Sequence, residues 1–153
     1  SEDVYGSLTK TNQTIKNNIK TWLNQYRMIN DTVDILDPYI INLGIDFVVK
    51  AQVGADKFDV LNRCVNALAN KYSEDFFIGE PFYISEIYTE LKNVTGVLDV
   101  IKVTVSSKTG ANYTSANIDI NTNLSPDGSY VIVPSNALVE IKYPNTDIRG
   151  KVV

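Results

Sequence analysis

From Tyr39 to Val53 every second residue is apolar: Tyr39, Ile41, Leu43, Ile45, Phe47, Val49, Ala51 and Val53. A period of two lines these side chains up on one face of a β-strand and scatters them around a helix. Pro38, just before the run, keeps a helix from entering it. At ~3.4 Å per residue the whole run would extend about 50 Å, longer than strands usually are. A bend or bulge is therefore expected at Gly44, with Ile45 to Val53 as the firmest part of the strand.

Gly54 ends the alternation, and Asp56 is placed to cap a new helix. Phe58, Leu61, Val65, Leu68 and Tyr72 then recur at offsets of 0, 3, 7, 10 and 14, with Cys64 beside the stripe. A second helix begins near Ser85, presents Ile84, Ile87, Leu91 and Val94 on one side, and stops near Gly96. Alternation resumes from Val97 to Val105, where Ile101, Val103 and Val105 face one way and Lys102 and Thr104 the other. Helices bury a stripe and strands bury a face. The economical reading is an α+β fold whose β-α-α-β core lays helices near 57–72 and 85–94 on one face of a sheet containing strands near 45–53 and 97–105.

Ahead of this core, Thr11 to Tyr26 places Ile15, Ile19, Trp22, Leu23 and Tyr26 at offsets of 0, 4, 7, 8 and 11, an amphipathic helix. The last third reads as additional strands: Ile118 and Ile120 alternate with Asp119 and Asn121, Ser125 to Gly128 forms a turn, and strands follow near Tyr130 to Val133 and Ala137 to Tyr143. The polar run Ser106 to Ser115 is the best candidate for a mobile loop. The expected organisation is an N-terminal amphipathic segment over 1–27 and an α+β domain over 28–153, the latter divisible into a 28–105 core and a 106–153 β extension.

With 153 residues, 44% of them apolar, the chain can bury roughly 68–70% of its unfolded surface around one core. Its formal charge of -4 comes from mixed signs with no basic run, so nucleic acid is not an expected partner. No stretch reaches 18 consecutive apolar residues and the start lacks the pattern of a signal peptide, so neither membrane insertion nor export is expected. Cys64 is the only cysteine, which rules out an internal disulfide and fits a reducing compartment. Asn12, Asn30, Asn93, Asn112 and Asn123 open N-x-S/T triplets, which an asparagine-rich chain produces by chance.

Histidine is absent, which removes the commonest general base, the Ser-His-Asp and Cys-His arrangements and most transition-metal sites. The glycines are scattered and form no phosphate-binding loop. Glu80, Glu86 and Glu90 lie close enough in sequence to suggest paired carboxylates for glycoside hydrolysis, yet Glu86 and Glu90 at i and i+4 fit a solvated helix face better. Asp31, Asp34 and Asp37 repeat every three residues, a spacing that suits an ordinary turn better than a calcium loop. Cys64 reads as a buried, inert thiol. The aromatics Phe76, Phe77, Phe82, Tyr83 and Tyr88 read mainly as packing between helices, with a binding shelf as the rival. No metal and no cofactor is expected.

Three segments resemble the C-terminal region of the baseplate wedge proteins of T-even-type contractile-tail phages, related to the baseplate J-like family: YRMINDTVDILDPYIINLGIDF from Tyr26 to Phe47, NVTGVLDVIKV from Asn93 to Val103, and VPSNALVEIKYPNTDIRGKVV from Val133 to Val153. The last is the most specific, because its EIKYP and DIRG stretches have no generic reason to occur. The resemblance implies a virion scaffold in the tail baseplate, assembled in the host cytoplasm around the tail hub, binding other wedge proteins and further copies of itself, and rearranging on sheath contraction. It carries over no catalytic residue. Family members are longer, which implies that this chain is a fragment.

Three functional readings stand open: an assembly module, a carbohydrate or host-receptor binding domain using the late strands and the Ser106 to Ser115 loop, and a tail-associated glycosidase. For the first, Ile15, Ile19 and Trp22 are the candidate partner interface, while Leu23 and Tyr26 are expected against the chain's own core.

Overall fold

The computed structural model describes residues 1–26, 33–74 and 76–153. Asp31, the Asn30 triplet and the expected boundary at 27/28 lie outside these described residues. Two compact units form, Ser1–Pro38 and Tyr39–Val153.

The first unit contains one helix, α1 (Gln13–Asn24), started by Asn12, whose side chain accepts the Thr14 N–H at 2.8 Å. A local turn precedes it, where the Asp3 carboxylate accepts the N–H groups of Tyr5 and Ser7.

The second unit is an α+β domain. Its elements run β1 (Tyr39–Ala51), α2 (Lys57–Lys71), β2 (Phe82–Tyr83), α3 (Ile84–Lys92), β3 (Val97–Ser107), α4 (Ile120–Asn123), β4 (Tyr130–Val131), β5 (Ala137–Glu140), α5 (Pro144–Asp147) and β6 (Ile148–Val152). The two-residue β2 between α2 and α3 pairs with β4 in a separate small sheet, a connection finer than the expected β-α-α-β order. β1 is the central strand of the main sheet. β3 lies antiparallel along one edge, and β5 and then β6 lie parallel along successive parts of the other. Pairing on both sides is what keeps a 13-residue strand extended.

The expected core face of β1 holds from Ile41 to Val49: Ile41, Leu43, Ile45, Phe47 and Val49 are all buried, in one cluster with Val60, Cys64 and Leu68 of α2 and Ile84, Ile87 and Leu91 of α3. The ends of the run depart from it, since Tyr39 and Val53 are exposed and the strand stops at Ala51. Each such side chain contributes about 1.5–3 kcal/mol when fully removed from water. Asp56 caps α2 as expected, accepting the N–H groups of Phe58 and Asp59. Gly96, with φ of 94°, makes the left-handed turn between α3 and β3.

Several expectations are corrected. β1 does not bend at Gly44, because pairing with β3 runs unbroken from Leu43 to Val48. The glycine lies in a crowded place instead: a Cβ there would meet the movable end of the Lys108 side chain and lie 3.2 Å from the Asp147 carbonyl oxygen. The irregularities come later, between Val48 and Val49 and between Lys50 and Ala51. The first of these shifts β3 by one residue, so Val100 faces the core in step with Val49 and Ile101 is left 54% exposed. α2 is rotated relative to the expected stripe. Val60, Cys64 and Leu68 are its buried line, Leu61 and Val65 flank it, and Phe58 is 69% exposed.

Ile118 to Asn121 is not a strand either. The Asp119 carboxylate accepts the Asn121 and Thr122 N–H groups and starts α4, a local bond that wins over pairing. The Ser106 to Ser115 stretch is pinned rather than loose. Lys108 N–H donates to Asn42 O at 2.7 Å, Thr114 N–H to Asn42 Oδ1 at 2.9 Å, the Thr114 hydroxyl to Ile40 O, and Tyr113 OH to Asp147 Oδ1 at 2.6 Å. This segment covers the outer face of the first half of β1, which is why Ile40, Asn42 and Gly44 are buried as well. Asn42 completes its bonding by donating to Glu140 Oε2 at 3.0 Å.

Candidate protein-binding surface

α1 carries Ile15, Ile19 and Trp22 on one stripe, and all three face water, at 48%, 43% and 58% exposure. Tyr26, expected against the core, is also exposed and lies with its ring centroid 5.1 Å from that of Trp22; Leu23 is half-buried. No residue of the helix is buried. A helix of this length without burial is marginal in water.

Two ion pairs with the following segment help hold it. Lys16 Nζ contacts Asp37 Oδ2 at 2.5 Å, and Lys20 Nζ lies 3.7 Å from Asp34 Oδ1. The Asp37 carboxylate also accepts the Thr11 N–H at 3.0 Å. The Lys16 hydrogen bond, then the Thr11 N–H, holds the Asp37 carboxyl below its ordinary range. Because α1 contains no acidic residue and both its lysines are paired, the stripe is bordered by neutral Asn, Thr and Gln side chains. A surface of this kind is suited to contacts governed by apolar burial and not by charge.

The other candidate residues are occupied by structural work. Asp34 and Asp37 hold lysines, and no group of three or more metal-ligating side chains comes together among the described residues. Glu86 pairs with Lys71 at 3.1 Å, and Glu80 accepts the Phe77 N–H at 2.8 Å. The aromatic residues separate into three places. At the core Phe76 stacks on Tyr72 and Phe82 packs against it at a tilt, Tyr83 meets Tyr130 at 5.7 Å, and the Tyr88 hydroxyl accepts the Val103 N–H at 3.1 Å. Phe77 remains exposed. Cys64 is fully buried, and burial pushes its thiol up to about 11. The Asn12 side chain is used in capping.

No family model and no curated protein matches the chain. No helix among the described residues is long and apolar enough to cross a membrane.

Proposed function

We propose that this protein is a non-enzymatic structural module that works by packing against other protein chains. In this reading it belongs to the wedge of a contractile-tail phage baseplate, assembles in the host cytoplasm into the virion tail around the hub, binds other wedge proteins and further copies of itself, and rearranges on contraction. The observation that carries the reading is the α1 stripe of Ile15, Ile19 and Trp22, held in water by local ion pairs on a helix that buries nothing of its own. The three segments resembling wedge proteins supply the setting.

The test is reconstitution of the whole chain with candidate wedge proteins, followed by measurement of complex mass and affinity. The expected result is a complex that Ile19→Ala/Trp22→Ala weakens by about 10–100-fold, since buried aromatic anchors dominate interfaces. A complex equally tight with the double variant, or no complex with any wedge protein or with itself, contradicts the proposal.

A further inference from the structure

The outer face of the main sheet is divided. Its first half lies under the 108–114 segment, but from Asp46 onward it is open, because Asp46, Lys50, Lys102, Thr104, Arg149 and Lys151 are all exposed. Strand register fixes which side chains share this open face. Lys102 of β3 and Lys151 of β6 are the partners of Val48 on either side, and Thr104 and Arg149 are the partners of Asp46. Lys50 follows two residues along β1, opposite Asp99. Lys108 borders the tile, its Cε lying over Gly44.

Five of the chain's 14 Lys and Arg residues thus gather here with only two of its 18 carboxylates, in a protein whose net charge is -4. None of the five cations makes an ion pair among the described residues. The charge pattern was invisible along the chain because it is contributed by three strands distant in sequence.

We infer that this open sheet face is a second docking surface, distinct from the α1 stripe, and that it takes an acidic protein segment lying flat across β3, β1 and β6. Lys102 and Lys151, about 10 Å apart across two strand spacings, flank Val48 as a small apolar centre. Carboxylates spaced on an extended chain can meet both, and the low net charge of the rest of the tile leaves their attraction uncancelled. Nucleic acid fits worse. The tile has no aromatic residue on which a base could stack, and Asp46 and Asp99 sit among the cations where phosphates would pass.

The experiment measures fluorescence anisotropy of a labelled decaglutamate peptide, and of a labelled oligothymidylate of matched length, titrated with the whole chain. The peptide is expected to bind in a salt-sensitive manner, as exposed charges are screened within about 8 Å at physiological ionic strength. Lys50→Glu/Lys102→Glu/Lys151→Glu should weaken it about tenfold or more, and Lys102→Gln/Lys151→Gln, which only neutralises, should weaken it less while leaving the circular dichroism unchanged. Trp22→Ala should leave peptide binding as it was. Absence of peptide binding, binding equal in the charge variants, loss of binding with Trp22→Ala alone, or tighter binding of the oligothymidylate that the same charge variants abolish would each overturn the inference.

Discussion

In Tyr39–Val153, side chains such as Leu43, Ile45, Phe82, Ile87 and Leu91 are closed off from water, whereas none of the described residues of Ser1–Pro38 is buried. Both units contain a well-patterned amphipathic helix. α2 is locked because its buried line meets β1 and α3 in one core. α1, with an equally regular stripe, depends on a cap and on two lysine–aspartate pairs. The pair between Lys20 and the exposed Asp34 is of the kind worth at most about 1 kcal/mol. Periodicity therefore identifies a helix and its apolar face but not what covers that face, and here the difference separates a buried helix from an exposed one.

Substitutions of equal kind should separate the two units most clearly. Phe82→Ala removes a fully buried ring packed at a tilt against Tyr72 and Phe76, and should cost about 3–5 kcal/mol in equilibrium urea unfolding. Ile15→Ala should change the same transition by less than about 0.5 kcal/mol. Equal costs would break the comparison. Next in size, Cys64 should be nearly inert to thiol reagents in the folded chain. Burial raises its thiol from 9.0 to about 11, which alone cuts the thiolate at mildly alkaline pH about a hundredfold. Labelling that keeps pace with that of unfolded protein would show that the α2 core opens readily.

A smaller effect is expected at the helix starts. Asp56→Ala, removing the cap of α2, should lower global stability by about 1 kcal/mol. Asn12→Ala should reduce α1 helicity by circular dichroism without moving the global transition. If Asn12→Ala also shifts the midpoint, the two units are not energetically separate.

The smallest effect is one of pH. Hydrogen bonds from the Ser125 and Ser129 hydroxyls, then the Ser129 N–H, lower Asp127 from 3.8 to about 2. A depressed folded value means that the turn's contribution is present above the ordinary value and is lost as pH falls towards about 2. Asp127→Asn should flatten that part of the stability profile. Asp37, lowered in the same direction by Lys16, should make α1 helicity fall as pH drops below the ordinary carboxylate range.

Much of the scaffold was readable along the chain because local patterns and final burial agree there. The β1 alternation, the Asp56 cap and the Gly96 turn need only near neighbours to be understood. What escaped depends on partners distant in sequence. β6, Ile148–Val152, has a glycine and two cations in its five residues and little strand signal, yet Gly150 is required where a Cβ would fall 2.2 Å from the Phe47 ring. Gly44 reads as a breaker along the chain because Lys108 and Asp147, which crowd it, are far away in sequence. The bulge that exposes Ile101 follows from pairing with Val48 and Val49, and Asn42 reads as an ordinary polar residue until Thr114 and Glu140 are placed against it. The α1 stripe was found from its spacing. Spacing alone does not fix its exposure, and the cationic sheet face has no linear signature at all.

Trp22 offers the most direct check, since it is the only tryptophan and sits at the centre of the proposed docking stripe. Iodide quenching of its emission should be measured on the dilute whole chain and again after wedge proteins are added. Efficient quenching of the free chain, followed by protection and a blue shift in the complex, is the predicted result. Emission already blue-shifted and shielded from iodide in the dilute chain, or quenching unchanged once a complex has formed, would contradict the assignment of α1 as the docking surface.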